Sequence, residues 1–245
     1  MNLKKTIIWL VLLVILIALI GFSIWAYTPL GPMPEAISAM GSTSEVIVEE
    51  YTWLVFQPVD TPINTGLVIY PGGRVDPRSY APAAKQLAED GFLVVIVPMP
   101  FNLAIFGWQK AGEVIENFPE IDHWVVAGHS LGGSMAARYA IRKPADVDGL
   151  VLWAAYPASS DDLSNSHLIT MSIYGTNDGL ITEQDITNSN LLLPENTSWV
   201  AIDGGNHAQF GWYGDQAGDN PASISREKQQ QRIIESTRQI VDIVN

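Results

Sequence analysis

Six short, nearly continuous apolar runs follow one another after residue 64, and they constrain the fold more than any other feature. They span residues 65–70, 92–98, 123–128, 149–155, 168–175 and 198–203. Runs of this kind are typical of strands buried on both faces, as in a parallel sheet. Helix-like segments lie between or after them, at 79–90, 109–117, 131–141 and 226–244. The alternation predicts an α/β fold with a mostly parallel central sheet and helices on both faces.

The same domain begins before these runs and has no room for a lid. Residues 45–58 alternate in polarity and are rich in valine, isoleucine and aromatic side chains, which predicts an antiparallel strand or hairpin at the start of the sheet. The stretches 99–108 and 156–167 are each about ten residues long, too short for a large helical cap. We therefore expect one domain over residues 45–245, with no large cap and an open site.

The first 27 residues differ from the rest of the chain. Lys4 and Lys5 precede the stretch 6–27, which carries no charge and is long enough to cross a hydrocarbon core as a helix. A cleaved signal peptide has a shorter apolar region and a small-x-small site after it, and neither is clear here. Cleavage as an atypical signal peptide and a buried core helix are the alternatives. We predict an uncleaved, single-pass membrane anchor at 1–27 that contacts the lipid bilayer through residues 6–27, with the N-terminus cytoplasmic and the domain extracytoplasmic.

Residues 28–44 connect this segment to the domain. The stretch is rich in proline, glycine and serine. Such a composition favours a flexible connection. We therefore expect a poorly ordered linker over these residues.

The composition excludes several classes of partner and site. The chain has 13 basic and 26 acidic residues and a net charge of −13, which opposes binding to nucleic acid or to anionic lipid surfaces. Without Lys4 and Lys5, 11 basic residues remain against 26 acidic ones, so the rest of the chain carries −15. The chain has 0 cysteines, which excludes disulfides and thiolate metal sites and is compatible with export.

A glycine-flanked serine follows the third apolar run. Residues 128–132, Gly-His-Ser-Leu-Gly, match the pattern G-x-S-x-G and lie between a predicted buried strand and a helix of small residues. In that position the turn can be sharp and the hydroxyl of Ser130 can stand at the carboxyl edge of the sheet. Glycines on either side remove the β-carbons that would collide in such a turn. Ser130 is therefore the candidate nucleophile.

A serine hydroxyl needs a base to take its proton, and the chain has 4 histidines. His207 follows the last predicted strand, at the sheet edge where open α/β sheets bind ligands. His129 lies inside the turn and should point away from the hydroxyl, in a packing role. His123 opens a strand and His167 precedes one, as structural or surface residues would. We therefore assign the base to His207.

The base must in turn be oriented by an acid. Asp178 comes shortly after the apolar run that ends at Gly175, in a loop expected at the same edge of the sheet. A carboxylate there would hold the imidazole tautomer and stabilise the imidazolium. An ordinary Asp-Gly turn is the alternative interpretation of Asp178. Asp203 is the second candidate acid, although it is close in sequence to His207.

The negative oxygen that forms during acyl transfer needs donors fixed in advance. One candidate is the backbone amide of Leu131, at the start of the helix after the serine, where the helix dipole also helps. The second should come from the loop after the run 65–70, and Gly73 is the first choice, followed by Arg74. Two of the residues in this loop are glycines, so its backbone can approach a substrate closely.

Taken together, these motifs resemble the α/β-hydrolase superfamily, in its compact esterase-like and dienelactone-hydrolase-like branch. The order Ser130, Asp178, His207 and the segments GHSLGG, YPGG, YGTNDG and GGNHAQFG carry the resemblance, which covers residues 45–245. One departure is the segment Tyr-Pro-Gly-Gly, where many esterases have His-Gly-Gly.

The resemblance implies a serine hydrolase, here a carboxylic ester hydrolase that works through an acyl-enzyme on a small-molecule ester or acyl substrate. No metal or organic cofactor and no nucleic acid is implied. We predict substrate contacts from Arg74, Trp212 and Tyr213, with core packing as the alternative for the aromatic residues. Two other functions remain open: a catalytically silent, membrane-anchored binding protein on the same fold, and a peptidase or acyltransferase with the same triad.

Overall fold

The computed structural model describes residues 3–59 and 61–244. Met1, Asn2, Asp60 and Asn245, which the predicted anchor and domain ranges include, lie outside the described residues. Within those ranges one sheet has 8 strands in the order β1-β2-β4-β3-β5-β6-β7-β8. The strands are β1 Val46–Glu50, β2 Leu54–Pro58, β3 Thr65–Tyr70, β4 Leu93–Ile96, β5 His123–His129, β6 Gly149–Trp153, β7 Ile169–Gly175 and β8 Ser198–Ile202.

The sheet is mostly parallel, as the sequence predicts. Neighbouring strands from β3 to β8 pair in parallel, and each of the six apolar runs forms one of them. The alternating stretch 45–58 forms the antiparallel pair β1 and β2, and β2 joins the sheet antiparallel to β4. The predicted hairpin and the predicted parallel core are both confirmed.

Helices cover both faces of the sheet because successive side chains of a strand point to opposite sides. The helices are α1 Leu3–Ala26, α2 Pro34–Ala39, α3 Ala81–Glu89, α4 Lys110–Asn117, α5 Leu131–Arg142, α6 Glu183–Ser189 and α7 Arg226–Val244. On β3, Leu67 and Ile69 belong to a core shared with α3 and α7. Val68 and Tyr70 belong to a second core, shared with α4 and α5.

The connections at the carboxyl edge of the sheet are short. Residues 99–108 hold the 3₁₀ turns Pro100–Asn102 and Ala104–Phe106, and residues 156–167 hold no regular helix. All of these residues are described, and none belongs to an α-helix. The absence of a large cap is therefore confirmed.

The segment 28–44 is not the poorly ordered spacer that its composition favours. Residues 34–39 form the short helix α2, with Ala36 fully buried. The amide of Leu30 donates to the carbonyl of Arg74 at 2.7 Å, and the amide of Met33 donates to the carbonyl of Trp212 at 2.7 Å. These long-range hydrogen bonds give the proline- and glycine-rich segment fixed partners, which composition alone does not reveal.

Helix α1 is long and apolar enough to cross a membrane over Ile7–Ala26, and its side chains from residue 7 to residue 25 are exposed. The alternative of a buried core helix is therefore wrong for this segment. A signal sequence near an N-terminus meets the same criteria of length and composition. The role of α1 as an anchor belongs to the proposal made below.

Candidate active site

Ser130 lies in the turn between β5 and α5 with φ 53° and ψ −122°. A positive φ is uncommon for a residue with a β-carbon, and such strained conformations cost about 1–3 kcal/mol each. The flanking glycines permit the turn, because a β-carbon on Gly128 would lie 2.6 Å from the backbone nitrogen of Gly133. Backbone hydrogen bonds hold the strained residue, since the amide of Ser130 donates to the carbonyl of Trp153 at 3.0 Å.

His207 and Asp178 form a buried pair. His207 Nδ1 lies 2.8 Å from Asp178 Oδ2, and the two side chains are 1% and 0% exposed. The other carboxylate oxygen, Oδ1, accepts from the amides of Leu180 at 2.8 Å and Ile181 at 2.7 Å. With its acceptors engaged in this way, the Asp178 carboxylate favours the tautomer of His207 that carries its proton on Nδ1.

The second ring nitrogen of His207, Nε2, is buried, and no described residue forms a hydrogen bond with it. The ring centroid of His207 lies 4.5 Å from that of His129, the residue just before Ser130. The structure thus brings the histidine and the aspartate together and places them beside the turn that carries the serine. A basic nitrogen with no partner in the described structure is free to accept a proton.

Two residues that the sequence analysis missed hold the loop of His207. Gln229, fully buried on α7, receives the amide of Asn206 at 3.0 Å and donates to its carbonyl at 2.7 Å. Asp219 accepts from the amide of Ala208 at 2.8 Å and from that of Gly179 at 2.9 Å, and so joins the histidine loop to the aspartate loop. Gln229 precedes the buried Ile233 by one helical turn, which is the sequence signal for its burial.

The loop after β3 lies against the serine turn because β3 and β5 are neighbours. Their parallel register pairs Tyr70 with Gly128, so residues 71–74 emerge beside the turn. A β-carbon placed on Gly73 would lie 3.3 Å from Leu131 Cδ2. Leu131 is the first residue of α5, and its amide is one of those that a helix leaves without an internal partner. The two residues predicted to supply oxyanion donors are thus adjacent.

A hydrogen-bond chain that the sequence does not reveal connects this loop to His129. The amide of Gly72 donates to the hydroxyl of Tyr80 at 2.9 Å, and that hydroxyl lies 2.8 Å from His129 Nδ1. The Tyr80 hydroxyl therefore joins the amide of Gly72 to the ring of His129. Burial, together with the neighbouring His207, lowers the pKa of His129 well below its ordinary value of 6.5.

The three residues predicted to contact substrate have other partners. The Arg74 guanidinium donates to the carbonyl of Trp25 at 2.8 Å and to that of Thr28 at 2.7 Å. Trp212 and Tyr213 are only 8% and 5% exposed. Substrate contact by these residues stays a prediction. In the structure Arg74 binds the end of α1, and the two aromatic residues pack in the domain, where the amide of Trp212 donates to the carbonyl of Ser79 at 2.8 Å.

The second candidate acid and His123 have partners other than His207. Asp203 accepts a long hydrogen bond of 3.4 Å from Thr176 and none from His207. His123 has a side chain that is 42% exposed and lies 3.3 Å from Asp148. Within the described ranges, no group of three or more histidine, aspartate or glutamate side chains is placed to hold a metal ion.

Comparisons with known proteins agree with this architecture. The model of a family described as the alpha/beta hydrolase family matches residues 66–231. No curated protein matches the sequence.

Solved structures share the fold at low identity. A protein from Klebsiella pneumoniae named as a dienelactone hydrolase is 16% identical, with a TM-score of 0.60 over 79% of this chain and 99% of its own. Esterase 2 of Thermogutta terrifontis, phosphoramylated by tabun, is 14% identical, with a TM-score of 0.56 over 82% of this chain and 96% of its own. A protein of Thermoplasma acidophilum named as a CIB-like hydrolase is 15% identical, with a TM-score of 0.56 over 81% and 100%.

Proposed function

The chain belongs to the alpha/beta hydrolase family, and we propose that it is a membrane-anchored serine hydrolase that cleaves carboxylic esters through Ser130, His207 and Asp178. One observation carries the proposal. A serine in a strained turn lies beside a buried histidine–aspartate pair whose outer nitrogen has no partner among the described residues. Strain and buried polar groups without partners are expected at functional sites rather than in ordinary packing.

In the first step Ser130 Oγ attacks the carbonyl carbon of the ester while His207 Nε2 takes the hydroxyl proton. The imidazolium that forms is stabilised by the Asp178 carboxylate, 2.8 Å from Nδ1. Because the amides of Leu180 and Ile181 fix the carboxylate, the ring keeps its orientation while it gains and loses a proton.

The tetrahedral intermediate carries its negative charge on the former carbonyl oxygen. We assign the backbone amides of Leu131 and Gly73 to that oxygen, since the two residues are adjacent and Leu131 opens a helix. Fixed donors of this kind act because they do not have to reorient as the charge develops. His207 then donates its proton to the leaving alcohol, and the acyl group remains on Ser130.

Water completes the cycle. His207 removes a proton from a water molecule that attacks the acyl-enzyme. The second tetrahedral intermediate then collapses to the carboxylic acid, and His207 returns the proton to the departing Ser130 Oγ. Overall, one ester and one water give one acid and one alcohol. Access for water and substrate is consistent with the absence of a large cap over the described residues 99–108 and 156–167.

The anchor and the topology are part of the proposal. Helix α1 would cross the membrane with Lys4 and Lys5 on the cytoplasmic side. Residues 45–245 would then form the catalytic domain on the other side. Residues 28–44 would join the two as a packed connection.

The test is labelling of the full chain, in detergent, with a fluorescent phosphonate that reacts with activated serines. An esterase of the same fold is phosphoramylated by tabun, which supports an organophosphorus probe. We expect the parent to be labelled and to cleave a short aryl ester. Ser130→Ala and His207→Ala should lose both signals, because one lacks the nucleophile and the other its base.

Ser134→Ala is the matched control. Ser134 lies one turn further along α5, where its hydroxyl already donates to the carbonyl of Tyr156 at 2.6 Å. Its loss should leave labelling unchanged. A folded parent that takes no label and cleaves no ester would overturn the proposal in favour of the silent binding protein.

A further inference from the structure

The end of α1 is bound to the loops beside the serine turn. The guanidinium of Arg74 donates to the Trp25 carbonyl and lies 4.5 Å from the centroid of the Trp25 ring. Asn102 Nδ2 donates to the carbonyl of Ala26 at 2.9 Å. The two loops are also joined to each other, because the amide of Arg74 donates to the carbonyl of Asn102 at 2.7 Å. The apolar helix is therefore attached to the catalytic edge of the sheet.

Aromatic contacts of Phe101 show which part of α1 the loop 99–108 touches. The ring centroid of Phe101 lies 5.6 Å from that of Phe22 and 5.8 Å from that of Tyr27. A helix rises ~1.5 Å per residue, so the apolar segment Ile7–Ala26 measures about 30 Å, the thickness of a hydrocarbon core. At this rise per residue, Phe22 lies about 6 Å before the end of the apolar segment at Ala26. If α1 crosses a bilayer, Phe101 is therefore at the boundary between acyl chains and headgroups.

The segment after Phe101 is apolar, exposed and next to the proposed oxyanion site. Ile105 is 49% exposed and Phe106 is 56% exposed. Between them and Phe101, Leu103 reaches the site, since a β-carbon on Gly73 would lie 3.7 Å from Leu103 Cδ2. An apolar surface thus extends from the anchor to the glycine that faces the serine turn.

The distribution of charged residues also favours contact between this apolar surface and a membrane. Residues 71–75 and 99–108 form the loops beside the end of α1, and neither of these segments contains an aspartate or glutamate. The chain as a whole has 26 acidic residues and a net charge of −13. The acidic residues that would be repelled by anionic lipid are therefore absent from these segments.

We propose that α1 holds the entrance of the Ser130 site at the membrane surface where the helix ends at Ala26, with Ile105 and Phe106 inserted into the leaflet on that side. The substrate is then an amphiphilic carboxylic ester dissolved in the leaflet, whose carbonyl lies at the depth of the headgroups. This inference rests on the proposed ester hydrolase function and adds its substrate class. Exposed apolar and aromatic side chains at the end of a transmembrane helix are typical of such an interfacial contact.

The first experiment measures depth and does not depend on activity. The chain has 0 cysteines, so Phe106→Cys gives a single site for an environment-sensitive fluorophore in the full-length protein. Leu191→Cys, at an 83% exposed position between β7 and β8, is the matched control. In phosphatidylcholine vesicles that contain spin-labelled lipid, we expect strong quenching at residue 106 and little at residue 191. Equal quenching at the two sites would overturn the inference.

The second experiment separates this inference from the proposed function. Full-length protein in phosphatidylcholine vesicles is given either a long-chain ester dissolved in the bilayer or a water-soluble short-chain ester. Ile105→Ser combined with Phe106→Ser should lower cleavage of the bilayer ester about tenfold, because two apolar contacts with lipid are lost. Cleavage of the soluble ester should stay within about twofold of the parent, since neither residue touches the reacting atoms.

Leu191→Ser combined with Ile243→Ser is the control, because it removes two exposed apolar side chains, 83% and 64% exposed, elsewhere on the domain. It should change neither rate. An equal loss on both esters, or no loss on the bilayer ester, would refute the membrane-facing site while leaving the hydrolase intact. Absence of Ser130-dependent cleavage of either ester would refute the proposed function and the inference together.

Discussion

The two halves of the candidate site are held in place by different parts of the chain. The acid–base half consists of the loops 175–181 and 203–211, and the oxyanion half consists of the loops 71–76 and 99–103. In the acid–base half, Gln229 and Asp219 make hydrogen bonds that stay within the domain. In the oxyanion half, Arg74 and Asn102 make theirs to the end of α1.

Backbone strain follows the same division. In the acid–base half the left-handed position is a glycine, Gly204, with φ 74°. In the oxyanion half three residues with side chains adopt positive φ: Arg74 and Phe101 at 57°, and Asn102 at 53°. Residues in this region persist only when the surrounding structure holds them there, and here the surrounding structure includes α1. The geometry of the oxyanion half should therefore depend on α1, whereas that of the acid–base half should not.

The largest expected effect comes from breaking the acid–base half. Asp178→Asn should lower kcat by a factor on the order of 10³–10⁴, because the amide no longer holds the His207 tautomer with its proton on Nδ1. The measurement is ester hydrolysis by full-length protein, together with thermal unfolding to verify the fold. Asp203→Asn, which alters an exposed acid outside the pair, should retain the parent rate. A loss of less than tenfold in Asp178→Asn would argue against this residue as the orienting acid.

A smaller effect should distinguish the two halves directly, because Arg226 on α7 binds a backbone carbonyl of the acid–base half, whereas Arg74 in the oxyanion half binds a backbone carbonyl of α1. Arg226 donates to the carbonyls of Ala208 at 2.7 Å and Gly214 at 3.1 Å, within the domain. Arg74 donates to carbonyls at the end of α1. Removing either guanidinium should remove hydrogen bonds that contribute roughly 1.5–3 kcal/mol of interaction free energy, or less where the group is solvated. We expect Arg226→Ala to lower the free energy of unfolding and Arg74→Ala to lower kcat.

Deletion of residues 1–27 completes a double-mutant cycle with these two substitutions. The effect of Arg74→Ala on kcat should be smaller in the shortened chain, because its partner at Trp25 is missing and only that at Thr28 remains. The effect of Arg226→Ala should remain the same. If Arg74→Ala lowers kcat equally in both backgrounds, the oxyanion half does not depend on α1.

The smallest effect concerns His129, which touches both halves through Tyr80 and His207. Its pKa in the folded protein is well below 6.5, so the unfolded chain binds more protons than the folded one as pH falls below that value. This contribution to stability is complete above about pH 6.5 and decreases below it, by at most about 1.4 kcal/mol per pH unit. His129→Gln should flatten the dependence of unfolding free energy on pH between 5 and 6.5, and His123→Gln should not. Identical slopes in the two variants would contradict the assignment.

Much of the fold was accessible from the sequence because it depends on local pattern. The run 65–70 has the bounds of β3 as the structure has them, and the stretch 226–244 has those of α7. Burial on both faces produces continuous apolar runs, and a helix packed on one side places Ile233 and Ile240 on one face. The short helices α2 and α6 were missed, because six or seven residues hold too little periodicity to recognise.

The candidate site, like the fold, could be predicted only in part. Chain order and position after buried strands selected Ser130, His207 and Asp178, because parallel strands deliver their following loops to one edge of the sheet. Arg74, Trp212 and Tyr213 were given to the substrate from position alone, and the structure gives them other partners. Local composition does not indicate which distant residues a side chain contacts in the folded chain.

The sequence by itself therefore determined the α/β architecture, the serine turn and the order of the candidate catalytic residues, since each depends on residues close together in the chain. Only the tertiary structure decided that Gly72, Tyr80 and His129 form one hydrogen-bond chain. It also decided that Arg74 binds the end of α1. Such contacts join residues far apart in sequence, and their geometry arises only when the sheet and its loops are assembled.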